Sequence, residues 1–231
     1  MEDNILLISC IFGKKFNKVY ERPSLFNNAT FFTNNSDLKN EITEKGWNYF
    51  YIDFYLSNDE IISSLQSKYV KFLKFLDDYE EFRKFKYILY FDHKCKIEND
   101  NIYQLFSISQ NNPNSKIIIR ETPRNKSIWD EVVEASKHSR YAYNMINTIK
   151  FIKNIIIKDK LNDRSRICAT GLILYYNYQD IYPMLLSIYN TCMLLKQPEC
   201  QIIWSLYSQK YKDFITTIPF NLISILHQCP G

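Results

Sequence analysis

One stretch, Tyr87-Ile88-Leu89-Tyr90-Phe91-Asp92-His93-Lys94, constrains the fold more than any other. Its apolar and aromatic run stops abruptly at an acid. A short run of this kind, with charge on both sides, suits a strand buried on both faces of a parallel sheet. Asp92 then stands at the strand's carboxyl end, where open α/β sheets form their ligand crevice. A hard carboxylate placed there suits Mg²⁺ or Mn²⁺, and through the metal the phosphates of a nucleotide. It equally suits the cap of the following turn.

Further strand-like runs cover 5–10, 29–33, 47–54, 116–120 and 166–175, and helical patterns alternate with them. Ser57 and Glu60 read as a capping box before a helix. That helix carries Ile61, Leu65, Tyr69, Phe72 and Leu76 on one face, with Gln66 and Lys68 off the stripe. Other helices are expected at 99–109, 127–136, 141–158, 180–195 and 199–210. Gly171, inside a strand, marks a bulge or a close approach of a ligand to the backbone. Arg120 is a second charged residue at a strand end. This order predicts an α/β fold, one domain over 1–231, with a central, mostly parallel sheet flanked by helices.

Composition removes several function classes. The four glycines are Gly13, Gly46, Gly171 and Gly231. They are too scattered for a Walker A loop or a G-x-G-x-x-G dinucleotide fingerprint. Net charge is +4 with the lysines and arginines spread out, so a dedicated nucleic-acid binder is not expected. The six cysteines form no C-x-x-C pair and read as reduced thiols of a cytoplasmic protein. No apolar stretch reaches the ~18 residues of a membrane span, and the start, Met-Glu-Asp-Asn, is acidic where a signal peptide is basic.

Several segments taken together resemble a GT-A-type (Rossmann-like) glycosyltransferase, and most closely the small transferase domains encoded by large chlorella-type viruses. They are Ile8-Ser9-Cys10-Ile11-Phe12-Gly13-Lys14-Lys15, Phe31-Phe32-Thr33-Asn34-Asn35 and Leu65-Gln66-Ser67-Lys68-Tyr69, then Tyr90-Phe91-Asp92-His93-Lys94, Thr170-Gly171-Leu172-Ile173 and Gln197-Pro198-Glu199-Cys200-Gln201. The resemblance implies a nucleotide-sugar donor, such as UDP-glucose or UDP-rhamnose, a glycan or glycoprotein acceptor, and Mn²⁺ or Mg²⁺. It implies a nucleotide-binding part at about 1–95 and an acceptor-side part at about 96–231. A viral origin implies the cytoplasm of a host cell.

Carried onto this chain, the resemblance puts Phe12, Gly13, Lys14, Asn34, Lys68 and Phe91 near the nucleotide. Asp92 is the metal aspartate, either without a second acid, or helped by His93, or with Lys94 partly replacing the metal's charge, and Arg120 is a supporting cation. Glu199 is the candidate on the acceptor side, against a simpler role at its helix start. His227 is a weaker candidate for a late metal or phosphate contact. The chain departs from the usual D-x-D signature, because Lys94 stands where the second acid belongs. That departure also suits a nucleotide-sugar or glycan-binding module without catalysis, and a separate rival is a metal-dependent nucleotidyltransferase or phosphoesterase, which more often shows several clustered acids.

Overall fold

The computed structural model describes residues 4–15, 18–24, 26–123, 127–165, 167–224 and the backbone of 226–227. Arg166, expected to open a strand, lies outside the described residues. The first part of the chain runs β1 (Ile5–Ile11), β2 (Ala29–Thr33), α1 (Lys39–Glu44), β3 (Asn48–Tyr51), α2 (Glu60–Lys71) and β4 (Tyr87–Phe91). The short strand β5 (Cys95–Lys96), α3 (Asn99–Asn111), β6 (Ile117–Glu121), α4 (Ile128–Ala135), α5 (Ser139–Ala142) and α6 (Met145–Asp159) follow. The remainder is β7 (Cys168–Tyr176), α7 (Tyr182–Leu195), α8 (Cys200–Tyr207), β8 (Ile215–Ile218) and β9 (Leu226–His227).

Seven strands form one sheet in the order β3-β2-β1-β4-β7-β6-β8. β7 runs antiparallel to both its neighbours, and the other pairings are parallel. The α/β fold with a mostly parallel sheet flanked by helices is therefore observed. β5 and β9 form a separate two-stranded ribbon.

The sheet is buried on both faces, and the period of two along each strand decides which face a residue serves. On β4, Ile88 and Tyr90 join a core with residues of α2, α4, α6, α7 and α8. Tyr87, Leu89 and Phe91 point the other way, into a core with Leu38 of the turn entering α1, Ile42 of α1, and Ile102, Leu105 and Phe106 of α3. Asp92 continues the Ile88–Tyr90 row and so falls on the α2 side. Phe91 packs against Trp47 with ring centroids 5.6 Å apart, on the side away from α2.

Several element boundaries differ from the sequence reading. The N-cap of α2 is Asp59, whose carboxylate accepts from the Ile61 N–H at 2.7 Å, while the Ser57 hydroxyl accepts from the Asp59 N–H. Ser57 is needed elsewhere, since its carbonyl accepts from the Lys14 N–H at 2.8 Å. Before α7 comes a tight turn of helix over Tyr178–Ile181, so Ile181 takes the cap position expected of Asp180. The helix expected at 141–158 is two helices, α5 and α6.

The buried Asn34 side chain helps hold the loop after β1. The Gly13 N–H donates to Asn34 Oδ1 at 2.8 Å, and Asn34 Nδ2 donates to the Tyr55 carbonyl at 2.9 Å. Gly13 has φ +90°, and a Cβ there would sit 2.1 Å from Ser63 Oγ, so only glycine fits. Asn34→Ala should strand the buried Gly13 N–H and cost about 2–3 kcal/mol. At ~2–4 °C per kcal/mol for a chain of this size, calorimetry should show melting lowered by roughly 4–12 °C.

Candidate functional site

A cleft of about 1030 Å³ opens along one edge of the sheet. It receives the carboxyl ends of β1, β4 and β6. Because β7 is reversed, it contributes its first residues, Ala169 to Gly171, to the same edge. Asp92, His93, Lys94, Lys68, Lys71, Arg120 and Glu199 all line this cleft, so residues far apart in sequence meet there.

Asp92 is the centre of the arrangement. Its Oδ1 accepts from the Tyr90 hydroxyl at 2.6 Å and is ion-paired to Lys71 Nζ at 3.1 Å. Lys71 also lies over the Tyr90 ring, 5.1 Å from its centroid. The Asp92 N–H donates to the Gly171 carbonyl at 2.9 Å. A Cβ at Gly171 would come within 3.1 Å of Asp92 Oδ2, so this glycine leaves room for the carboxylate. The register between β6 and β7 also slips here, from Ile119 opposite Ile173 to Arg120 opposite Ala169. The strand glycine thus marks a bulge, and the group beside it is the Asp92 side chain.

Burial alone would raise the Asp92 carboxyl, but Lys71, Lys94, the Tyr90 hydroxyl and Lys68 outweigh it and hold Asp92 well below the usual carboxylate range. Burial alone would lower the Lys71 ammonium, but Asp92 holds it above the ordinary lysine value. Both groups are charged at neutral pH. Burial pushes the neighbouring Cys10 thiol up to about 12, with Asp92 adding to the shift. Burial lowers the His93 imidazole, and the facing Asp92 only partly opposes it, so His93 is neutral at neutral pH.

Lys68 and Lys71 lie three residues apart on α2, and each is only about 5% exposed. Lys68 makes no hydrogen bond or ion pair among the described residues, and it lines the cleft. The sequence reading set Lys68 off the apolar stripe. In the helix it sits between Leu65 and Phe72, within the width of the buried face, and is buried with them. Lys71 escaped the sequence reading altogether. Its signal is a second lysine three residues on, facing the strand whose Tyr-x-Asp spacing aims Asp92 at the same helix.

Buried acids also line the cleft. Glu199 is the N-cap of α8, its Oε1 accepting from the Gln201 N–H at 2.9 Å, and it is buried. Gln201 Nε2 reaches Glu131 Oε1 at 3.4 Å. Glu131 is also buried and lines the cleft. It was not picked out from sequence, although it falls at i+3 from Ile128 on the buried face of α4, where an acid is unusual.

The remaining expected residues sit elsewhere. Gly13, Lys14, Asn34 and Phe91 are not among the residues lining the cleft, while Phe12 is. Asn34 works behind the wall, and Gln66 serves the same frame, donating to the Tyr55 carbonyl. Arg120 lines the cleft but turns Nη1 to the Ile223 carbonyl at 3.2 Å and stacks over Phe220. The backbone of His227 pairs with Cys95, three residues beyond Asp92, while its side chain lies outside the described residues.

The described residues around Asp92 do not by themselves fit a divalent metal. Among them one carboxylate and one imidazole are at hand, and the carboxylate's Oδ1 already carries an ammonium and a phenol. Among the described residues no group of three His, Cys, Asp or Glu side chains comes together to hold an ion. No helix among them is long and apolar enough to cross a membrane.

No family model and no curated protein sequence matches the chain. Solved structures of similar arrangement include mouse xyloside xylosyltransferase 1 in its apo form. It is 9% identical, with 92% of this chain and 84% of that one covered and a TM-score of 0.49. A glycosyltransferase involved in glycosylation of the major capsid of PBCV-1 is 11% identical, with 98% and 95% covered and a TM-score of 0.45. A CMP:2-keto-3-deoxy-manno-octonic acid synthetase complexed with CTP is 10% identical, with 94% and 89% covered and a TM-score of 0.47. With TM-scores below 0.5, none of these likenesses bears on which reaction the cleft supports.

The Asp92–Lys71 pair sets a pH dependence. Asp92 is held below its unfolded value, so its stabilisation is full above the unfolded pKa of about 4 and is lost as pH falls below it. The Lys71 contribution, from a raised pKa, persists from acid up to alkaline pH. In thermal melts, Asp92→Asn should be less stable than the parent at neutral pH, and the gap should narrow as the pH drops below about 4. A gap that stays constant down to acid would show that the pair contributes nothing.

Proposed function

We propose that the chain is a glycosyltransferase that moves a sugar from a nucleotide-sugar donor, such as a UDP-hexose, to a hydroxyl of a glycan acceptor. The observation that supports it is that buried lysines and buried carboxylates line the same cleft. Residues 1–95 supply Lys68, Lys71 and Asp92, which suit a diphosphate. Residues 96–231 supply Glu131 and Glu199, which suit an acceptor hydroxyl.

In such a transfer the bond between sugar C1 and the β-phosphate oxygen breaks, and its electron pair leaves on the diphosphate. The acceptor oxygen forms the new bond to C1 and releases its proton to a carboxylate. Lys68, Lys71 and Lys94 face the charge that develops on the leaving diphosphate. Glu199 is the proton acceptor in this reading, and Glu131 orients the acceptor hydroxyl together with Gln201.

Incubation with a panel of UDP-sugars and glycan acceptors tests the reading. Acceptor-dependent release of UDP is the expected result. Release of pyrophosphate or a nucleoside monophosphate would point to nucleotidyl transfer. Binding of UDP-sugars with no turnover on any acceptor would point to a binding module.

Glu199→Gln keeps an oxygen to cap α8 but cannot take a proton. It should lower turnover about 10²–10⁴-fold while leaving donor affinity unchanged. Normal turnover with only a lower melting temperature would assign Glu199 to the helix alone.

A further inference from the structure

The position where the sequence resemblance puts a metal is occupied by a lysine. Lys71 Nζ lies 3.1 Å from Asp92 Oδ1, on the side of the carboxylate that faces α2. Lys68, one turn earlier, is buried, aimed into the same cleft and without a hydrogen bond or ion pair among the described residues. A buried ammonium with no partner carries a large desolvation cost unless an anion comes to meet it. Lys94 lines the cleft beside them, in place of the second acid of a D-x-D signature. Three ammonium groups against the one carboxylate of Asp92 leave two positive charges, the charge of a single divalent ion.

We propose that Lys71 and Lys68 bind the donor's diphosphate directly, in place of a divalent cation, and that Asp92 is the anchor of Lys71 rather than a metal ligand. The proposal rests on the nucleotide-sugar reading above and assigns the chemistry of its phosphate subsite. An ammonium has three donors. Asp92 takes one from Lys71, and the Tyr90 ring flanks the group, which fixes its direction while leaving donor capacity for phosphate oxygens. Lys68 brings a second ammonium from the same helix face, so the two span a diphosphate as two fixed point charges. Departure of the diphosphate is then stabilised by charges already in place.

Calorimetric titration with inorganic pyrophosphate and with UDP tests this on the parent, Lys68→Met, Lys71→Arg, Lys71→Met and the double variant Lys71→Met/Asp92→Asn. Each is measured in EDTA and again in excess Mn²⁺. The double variant removes both charges of the buried pair together, so it reports on binding even if Lys71→Met alone fails to fold. Lys68 has no side-chain hydrogen-bond or ion-pair partner to strand among the described residues. Parent affinity for both ligands should be the same in EDTA and in Mn²⁺. Lys68→Met and the double variant should each bind at least about tenfold more weakly, and Lys71→Arg, which keeps the charge, should bind nearly as the parent does.

Binding that requires Mn²⁺ would overturn the proposal while leaving the nucleotide-sugar reading in place. Unchanged affinity in Lys68→Met and in the double variant would overturn it too, as would no binding of either ligand under any condition. If pyrophosphate binds in a lysine-dependent way but UDP binds no better than pyrophosphate, the cation pair stands and the nucleotide-sugar reading falls.

Discussion

The ion pair between Lys71 and Asp92 is the interaction on which the cleft is built. It joins the last turn of α2 to the end of β4, two elements separated by a compact turn-rich segment. Its surroundings are arranged around the carboxylate. Tyr90, two residues back, is on the same face because of the strand's period and supplies a hydroxyl. Gly171 on the antiparallel neighbour supplies an absent side chain and a backbone carbonyl. A buried pair of this kind stabilises little relative to an apolar substitute, but losing one partner is costly. It is therefore a device for placing a charge, and what it places is an ammonium at the mouth of the sheet.

The reversal of β7 has a second effect on the site. In an all-parallel sheet each strand end leads into a loop at the ligand edge. Here β7 begins at that edge and runs away from it, α7 returns, and α8 starts beside the cleft with Glu199 as its cap. Two of the cleft's buried acids consequently come from helices, Glu131 on α4 and Glu199 before α8, whereas Asp92 comes from a strand end.

Much of the fold was legible in the sequence because burial writes a strong pattern. The run 87–91 and the segment Ala29–Thr33 are apolar on both faces and bounded by polar residues, and the structure gives them as strands with those limits. The α2 stripe was also legible, though not its cap, because Ser57 and Asp59 both have capping chemistry and the Lys14 N–H claims the Ser57 carbonyl. The site was partly legible. Asp92 was visible from its place after a buried run, and Gly171 from its place inside one. Lys71 and Glu131 were not picked out because a single charged residue on an amphipathic helix is ordinarily solvated, and only the tertiary packing buries these two. Arg120 was read from its strand position alone, which says nothing about the C-terminal carbonyls that engage it.

Asn34 has a consequence for how a ligand would be received. It ties the loop after β1 to the segment before α2 through the Gly13 N–H and the Tyr55 carbonyl, so that this part of the frame is held by the protein's own hydrogen bonds. The conformational entropy of those residues is lost once, during folding, and is not charged again to each association event. Occupancy on this side is then governed by desolvation and charge, which respond to ionic strength, more than by loop closure, which does not.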